Sequence, residues 1–408
     1  MRVAYFSEIF PSTSETWVHN EITELIRLGC DVKVFATWPK PEIKTPENVD
    51  LAALTEYRPE GSNLRSTFGW LSLFRPKFLF KLISSLLKDK PTPRHFAQIV
   101  RDVLMLGKLL PRIRDFQPEA SVCHFAGTRA NLGLMLQWID GTPCVIKSHA
   151  LDIFHGSALL PTKVKEASRF YTISKYNLGF IRKNHPRVDV NRIQVHPCGV
   201  PLAPLPFEPM RDPAIISKPT LLSVGRLVPM KGFDVLIRTS LILTQHKVDH
   251  QIIIIGYGPE ESRLKDLIRE LGVEDTVELL GYKTPTEVHA YLKSSSLFVM
   301  PCVWDKKAGT QDGIPVALME SMASGTLVVS TRLSGIPELI ENDVSGFLAD
   351  PEDSHSLFEA IQRGLSLTPQ RRIDVLTAAR KKIELNHDTK MLTQQLFDDL
   401  QKILGAEP

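Results

Sequence analysis

Residues 223–232 read SVGRLVPMKG, and this is the most informative stretch of the chain. Its pattern predicts a strand that ends at Gly225, a short loop, and a helix after Gly232. Arg226 and Lys231 flank the loop, where backbone N–H groups and the start of a helix would also meet a ligand. Two cations in that setting predict a diphosphate site, although a surface turn with two solvated cations has the same pattern.

Strand-like and helix-like runs alternate on both sides of this stretch, which is typical of parallel α/β sheets. Short glycine- or proline-marked turns follow several of the strands, where open α/β sheets place their ligands. The predicted strands of the N-terminal half are RVAYFS, DVKVFAT, EASVCHF, CVIKSH, SRFYTIS and RIQVHP, and those of the C-terminal half are PTLLSVG, HQIIIIG, TVELLG, SSLFVMP, TLVVST and SGFLAD.

The length of 408 residues exceeds what one hydrophobic core usually supports, so we expect two domains. The proline-rich segment 201–219 is the best candidate for a linker. We therefore predict one Rossmann-like domain over 1–205 and a second over 206–385. A final amphipathic helix within 386–408 could pack back on the first domain.

No apolar run is long enough to span a bilayer, and the N-terminus begins directly with a strand-like run. We expect a cytoplasmic protein. The five cysteines are odd in number, widely spaced and without a CxxC pair, so buried thiols are expected in place of a disulfide framework or a zinc site.

Positive charge is concentrated between residues 65 and 114, where eleven Lys and Arg stand against two acids. This segment has a net charge of 11 − 2 = +9, so the rest of the chain has 3 − 9 = −6. Aromatic and aliphatic residues alternate with the cations, as in helices that lie on an anionic lipid surface. A solvated basic face that covers part of the core is the alternative, and no nucleic-acid module is recognisable.

Residues 311–325, QDGIPVALMESMASG, contain two acids eight positions apart. Asp312 is predicted in a loop and Glu320 in the second turn of the next helix, with Pro315 suited to its first position. The two carboxylates could contact separate parts of one elongated ligand. An acid favoured by the helix dipole and one exposed Glu would give the same pattern.

Two further stretches follow predicted strands of the N-terminal half. In KSHALDIF, residues 147–154, His149 stands at the end of a buried-looking strand, where an imidazole is either structural or in contact with a ligand. In FPSTSETW, residues 10–17, Ser14 is either a helix N-cap or part of a ligand-facing loop.

Taken in order, GRLVPMKG, DGIPVALMESMASG and SGIPEL resemble the retaining GT-B glycosyltransferases of family 4. Motifs along most of the chain carry the same resemblance: SETW, HF at His124, HALD, SKYN, PCGV and IIIIGYGP at Gly256. The SET loop and the insertion before DGIPVALMESMA look like the branch that builds bacterial exopolysaccharides such as colanic acid and amylovoran.

The resemblance implies a role for each matching residue of the C-terminal half. Arg226 and Lys231 would neutralise the donor diphosphate, Glu320 would hold the ribose hydroxyls and Asp312 would contact the transferred sugar. The backbone amides of Gly313 and Ile314 would support that sugar. The full set of other expected donor-binding residues is Gly225, Gly256, Gly313, Ile314 and Pro315.

In the N-terminal half, the resemblance places His149 beside the donor sugar, as a catalytic residue together with Arg226, Lys231 and Asp312. The acceptor side would be formed by Ser14, Glu15, Thr16 and His124. Two positions depart from the family pattern, since Asp312 replaces the usual Glu and Ala150 replaces the usual Gly.

These matches predict a GT-B α/β fold, with two Rossmann-like domains whose parallel sheets face a central cleft. The predicted reaction is metal-independent, retaining transfer from a UDP-, GDP- or ADP-sugar to a glycan or lipid-linked acceptor, without a cofactor or a nucleic acid. The inner face of the plasma membrane is the surface to which region 65–114 would bind. A catalytically silent sugar-nucleotide-binding subunit and a GT-B epimerase are the alternatives.

Overall fold

The computed structural model describes residues 1–12, 15–39, 46–58, 72–207, 209 and 218–405. The chain forms two compact units, the first made of Met1–Pro197 with Thr389–Pro408 and the second of Cys198–Asp388. The predicted boundary at 205/206 lies beyond the point where the chain leaves the first unit. Val200 and Leu205 already pack in a core of the second unit, which explains the difference.

The first unit contains a parallel sheet of seven strands in the order β3-β2-β1-β4-β5-β6-β7. Successive residues of a strand point to opposite faces, and accordingly Ala4 and Phe6 enter one core while Val3 and Tyr5 enter another. The strands are β1 (Arg2–Ser7), β2 (Asp31–Ala36), β3 (Thr55–Tyr57), β4 (Ala120–His124), β5 (Cys144–Ser148), β6 (Arg169–Thr172) and β7 (Ile193–Val195). The sequence did not predict β3, because three residues are too short a run to show a period.

Helices pack on both faces of this sheet and complete the two cores of the unit. Their bounds are α1 (Thr16–Arg27), α2 (Pro46–Ala53), α3 (Pro76–Asp89), α4 (Pro93–Phe116), α5 (Thr128–Asp140), α6 (Ala150–Phe154), α7 (Leu160–Glu166) and α8 (Lys175–Asn184). Of these, α5 lies against β1, β4 and β5, and both α3 and α4 pack on α5.

The second unit contains a parallel sheet of six strands in the order β10-β9-β8-β11-β12-β13. It too has a core on each face, with Leu221 in one and Leu222 in the other. The strands are β8 (Thr220–Val224), β9 (Gln251–Ile255), β10 (Val277–Gly281), β11 (Leu297–Met300), β12 (Val328–Thr331) and β13 (Phe347–Ala349). All six runs predicted for this half contain one of these strands.

The helices of the second unit follow its strands as the alternating pattern predicts. Their bounds are α9 (Phe233–Gln245), α10 (Glu261–Leu271), α11 (Pro285–Ser294), α12 (Val316–Ser324), α13 (Ile336–Leu339), α14 (Ser354–Leu365) and α15 (Pro369–Asn386).

The C-terminal helix α16 (Thr389–Ile403) returns to the first unit. Its Leu396 and Leu400 are fully buried in the core that contains α1. Polar contacts add to this packing, because the Tyr171 hydroxyl donates to Asp399 and the His196 Nε2 lies 3.0 Å from the carbonyl of Leu392. Apolar burial along one stripe therefore fixes α16 on the first unit.

Of the helices that the structure describes, none combines the length and the apolar character needed to cross a bilayer. All five cysteines are free thiols, and four of them are buried.

Candidate functional site

Each sheet has one point where the chain reverses its direction of growth, and ligand sites of open α/β sheets lie there. In the second unit that point is between β8 and β11, which are neighbours although two strands separate them in sequence. The loops after these strands, 225–232 and 301–315, contain seven of the nine donor-binding residues predicted from the sequence. In the first unit the reversal lies between β1 and β4, so the loop around Glu15 and the end of β4 at His124 share one region.

Glycine is required where the two loops approach each other. Gly232 has a φ of +68°, and a Cβ there would lie 1.9 Å from the carbonyl oxygen of Pro301. Gly256, at the end of β9, has a φ of +152°, and a Cβ would lie 1.8 Å from the carbonyl oxygen of Gly225. Any larger residue at either position would push the loops apart. The glycines therefore bring the backbone after β8 close to its neighbours on both sides.

Lys231 and Asp312 meet across these loops. The Lys231 Nζ lies 2.5 Å from the Asp312 Oδ2, and both side chains are largely buried. Burial alone would lower the pKa of Lys231, but the Asp312 carboxylate outweighs it, so the pKa is raised above its ordinary value. Lys231 is therefore charged at neutral pH, and its partner is the Asp312 carboxylate.

Arg226 is exposed on the same loop. Within the described ranges, its guanidinium has no hydrogen bond or ion pair to a protein group. Its positive charge is close enough to Lys231 to act against the raised pKa of that lysine. The loop therefore holds two neighbouring cations, of which Arg226 retains its full capacity for a bidentate contact with an anion.

Residues 312–315 lead into α12, whose first turn presents backbone N–H groups without intrahelical partners. The Gly313 N–H donates to the Asp312 Oδ1 at 3.0 Å, and Ile314 is buried. Pro315 was expected at the first helical position, but the helix begins at Val316 and Pro315 is its N-cap in an extended conformation. Its ψ of 127° is incompatible with a helical residue.

Glu320 lies in the second turn of α12, as predicted. Burial raises the pKa of its carboxyl to about 7, although part of the side chain remains accessible. In the portion of the chain that the structure describes, no hydrogen-bond donor faces this carboxyl. A carboxyl group in that state gains from a ligand that supplies hydroxyl donors.

A buried polar network links the strand ends of the first unit. The Glu21 carboxylate of α1 accepts from the Tyr5 hydroxyl at 2.8 Å and from Lys147, and its Oε1 lies 2.8 Å from the His124 Nε2. The His124 Nδ1 lies 3.0 Å from the His149 Nε2. All five side chains are less than a tenth exposed. The ion pair of Glu21 and Lys147 is therefore buried within the network that contains His149.

The protonation states in this network follow from its bonds. Burial would raise the pKa of Glu21, but Lys147 and His124 outweigh it and hold the pKa well below its ordinary value. Because an ionised carboxylate can only accept, the His124 Nε2 donates and its Nδ1 accepts from the His149 Nε2. Burial lowers the pKa of both imidazoles, so both are neutral and the Nδ1 is the acceptor nitrogen of His149.

Several aromatic side chains and one carboxylate hold His149 at the start of α6. Its ring lies 4.5 Å from that of Phe125 and 5.7 Å from that of Trp17, measured between centroids. The Asp152 carboxylate accepts a hydrogen bond from the backbone N–H of His149 at 2.8 Å. His149 is therefore fixed by its surroundings and is not a mobile side chain at the tip of a loop.

The predicted acceptor-side residues have different surroundings. Glu15 forms a two-pronged ion pair with Arg129 at 2.8 and 2.9 Å, and Thr16 is the first residue of α1. His124 is buried within the network described above. Ser14 lies outside the described residues. The structure therefore ties the SET loop to α5 through Glu15.

The sequence did not reveal Glu21, Lys147 and Arg129 as members of these clusters. One signal was available for Lys147, because a lysine within the apolar run CVIKSH must find a partner once the strand is buried. Glu21 gave no comparable signal, since a Glu on an amphipathic helix is ordinarily exposed. No group of three or more His, Cys, Asp or Glu side chains suited to a metal ion occurs among the described residues.

The two parallel sheets, each with loops at a reversal point, define the class of doubly wound α/β proteins. The family model of the Glycosyl transferases group 1 matches residues 210–382. The amylovoran biosynthesis glycosyltransferase AmsK of Erwinia amylovora is 31% identical, across 99% of this chain and 100% of AmsK. The chain belongs to this family, and it is a glycosyltransferase.

Two further comparisons agree with this assignment. The putative colanic acid biosynthesis glycosyltransferase WcaL of Escherichia coli is 30% identical, across 99% of this chain and 100% of WcaL. The crystal structure of Anabaena HepE in complex with UDP-glucose has a TM-score of 0.71 at 17% identity, and the match covers 98% of this chain and 100% of HepE. This likeness extends along nearly the whole chain and establishes the GT-B fold that the sequence predicts.

Proposed function

We propose that this glycosyltransferase moves a sugar from a nucleotide diphosphate to a glycan or lipid-linked oligosaccharide, with retention of anomeric configuration and without a metal ion. The proposed setting is the synthesis of a bacterial exopolysaccharide or another cell-surface polysaccharide, as the names of AmsK and WcaL state for those relatives. The observation that carries the proposal is the pair of neighbouring cations, Arg226 and Lys231, at the reversal point of the second sheet.

A donor diphosphate fits this part of the second unit chemically. Arg226 offers a guanidinium that has no partner among the residues the structure describes, and Lys231 can exchange the Asp312 carboxylate for a phosphate oxygen. Glu320 can accept from ribose hydroxyls, and the first turn of α12 can stabilise negative charge. The HepE structure contains UDP-glucose, which supports a nucleotide-sugar donor, here a UDP-, GDP- or ADP-sugar.

In the proposed reaction, the bond between the anomeric carbon and the diphosphate oxygen breaks while the acceptor oxygen bonds to that carbon on the same face. The acceptor proton passes to the leaving diphosphate oxygen. Negative charge grows on the diphosphate, and Arg226 and Lys231 stabilise it as preorganised cations. Two side-chain cations can provide the charge neutralisation for which other transferases use a metal ion.

The first unit is proposed to hold the acceptor. Glu15 and Thr16 lie on the loop and helix start after β1, and Ser14 precedes them outside the described residues. His149 and His124 occupy the neighbouring strand ends, with His149 kept as a neutral imidazole. Peripheral contact with the anionic inner face of the plasma membrane would bring a lipid-linked acceptor to this unit, consistent with the positive charge of region 65–114.

A donor screen followed by product analysis tests the proposal. A cognate UDP-, GDP- or ADP-sugar at a hundred times its dissociation constant should add about 2.7 kcal/mol to the free energy of unfolding, which a thermal shift detects. The protein should also hydrolyse that donor slowly when metal ions are chelated. NMR should show that the released sugar has the retained configuration. Release of sugar with inverted configuration would refute retention, and loss of activity on chelation would refute metal independence. Binding without any hydrolysis would instead indicate a silent binding subunit.

A further inference from the structure

We propose that the outer sides of α3 and α4 form a lipid-insertion surface, in which two apolar rows enter the membrane and adjoining basic residues contact anionic headgroups. This surface would make the membrane contact proposed above, on which the assignment of its side chains rests.

The structure separates the apolar residues of this region into two groups. Leu73 and Phe78 are buried in the core of the first unit, together with the inner sides of both helices. Large apolar side chains also face solvent, however, and Phe80 and Leu87 are each 71% exposed. Among the described residues of this region, the large apolar side chains that are exposed are Phe74, Phe80, Ile83, Leu87, Phe96, Val100 and Leu104. A basic face that merely covers the core would not leave these side chains in water.

The exposed residues of α3 form a row. Successive residues of a helix are about 100° apart around its axis, so Phe80, Ile83 and Leu87 fall within about 60° of one another. Lys77 and Lys88 are exposed on the adjoining side of the same helix. This pairing of an apolar row with a basic row is the arrangement of helices that lie at a lipid interface.

Helix α4 repeats the arrangement. Phe96, Val100 and Leu104 are spaced by four residues and therefore form one row, while the exposed Arg94 and Arg101 follow on the adjoining side. Since α3 and α4 both pack on α5, each of them turns its row away from the same supporting helix.

The charge on this surface is of one sign. The only acids between Pro76 and Lys108 are Asp89 and Asp102, and both are buried. Lys81 pairs with Glu166, but Lys77, Lys88 and Arg94 have no ion pair to any group in the described ranges. Exposed cations that are not neutralised by protein acids, beside exposed aromatic rings, match an anionic bilayer better than a protein partner of mixed charge.

The apolar row is tested with the full chain and vesicles of phosphatidylcholine, with or without phosphatidylglycerol. Co-sedimentation of the wild type with the anionic vesicles is expected. Changing Phe80→Ser, Ile83→Ser and Leu87→Ser together should weaken binding about tenfold or more, because the apolar area available for insertion is lost. The matched control is Leu385→Ser, since Leu385 is 60% exposed on α15 of the other unit, and it should bind as the wild type does.

The basic row is tested by Lys77→Ser and Lys88→Ser, each expected to weaken binding to anionic vesicles about fivefold at low salt. The control is Lys381→Ser, since Lys381 is an exposed lysine of α15 in the other unit. Absence of vesicle binding by the wild type, or equal binding by the triple variant, would overturn the proposal. So would self-association of the wild type that the triple variant abolishes. Donor hydrolysis should be unchanged in every variant. Failure of the lipid proposal can therefore be distinguished from failure of the transferase proposal.

Discussion

The two polar clusters of the protein differ in how completely their groups are paired. In the first unit, the Glu21 carboxylate is saturated by Tyr5, Lys147 and His124, and the whole network is buried. In the second unit, Arg226 is exposed without a protein partner in the described part, and Glu320 has a raised pKa with no donor facing it. The first cluster joins α1 to β1, β4 and β5, and the second lies in the segments after β8 and β11.

This difference separates a cluster that fixes geometry from one that is prepared for a ligand. A saturated buried network gains nothing from a further anion, but it sets the tautomers of His124 and His149. A cluster with an unpaired guanidinium and a destabilised carboxyl gains from a ligand that supplies both an anion and hydroxyl donors. We therefore propose that the cluster of the first unit positions side chains and that the cluster of the second unit supplies binding charge.

The largest expected effect comes from opening the saturated cluster. Glu21→Ala leaves Lys147 buried without its carboxylate, so the free energy of unfolding should fall by about 3–5 kcal/mol. The matched control on the same helix is Glu24→Ala, whose partner Arg27 is exposed, and it should cost about 1 kcal/mol or less. Urea unfolding of both variants measures the two losses in the free energy of unfolding. Equal losses would show that the buried network stabilises the fold no more than the Glu24–Arg27 ion pair does.

The second effect comes from the cations of the open cluster. Arg226→Ala and Lys231→Ala should each lower turnover by about two orders of magnitude or more, because a preorganised contact to the leaving diphosphate is lost. Arg238→Ala is a suitable control, since Arg238 is an exposed residue of α9, the helix that follows the loop. Unaltered kinetics in both test variants would remove the diphosphate assignment.

The third effect is a pH dependence that only the open cluster should produce. Since the folded pKa of Glu320 is about 7, above its ordinary value, the carboxylate forms as pH rises through 7. Donor binding should strengthen between pH 6 and 8, while the contribution of this group to stability falls as pH rises from its ordinary pKa to 7. Glu320→Gln should remove the pH dependence of binding and raise the melting temperature at pH 8. Calorimetry of both proteins over this range is the measurement, and an identical pH profile in the variant would contradict it.

The smallest effect concerns the Asp312 carboxylate, which forms an ion pair with Lys231. Asp312→Asn should tighten the binding of UDP, or of whichever nucleoside diphosphate the donor screen identifies, by about fivefold, because a negative charge next to the phosphate site is removed. Transfer of the sugar should nevertheless slow, since Asp312 is proposed to contact that sugar. Weaker nucleotide binding in Asp312→Asn would show that the ion pair supports the site instead of competing with the phosphate.

The open cluster could be predicted from sequence because its parts are local. Arg226 and Lys231 lie within one loop, and Asp312 and Glu320 lie within one loop and helix, so short motifs and the family resemblance singled out all four as candidates. The saturated cluster could not be predicted, because Tyr5, Glu21 and Lys147 come from separate elements and meet only through the order of the strands. His149 was singled out, but its buried connection to Glu21 through His124 was not.

The sequence by itself determined the alternation of strands and helices, the two-domain organisation and the family, since apolar periodicity and turn residues are properties of short segments. Only the tertiary structure decided which charges are paired. It buried Asp89 and Asp102 while leaving Lys77 and Phe80 exposed, and it joined Lys231 to Asp312. The physical reason is that the energy of a charge depends on its solvation and on neighbours distant in sequence, and neither is defined until the chain has folded.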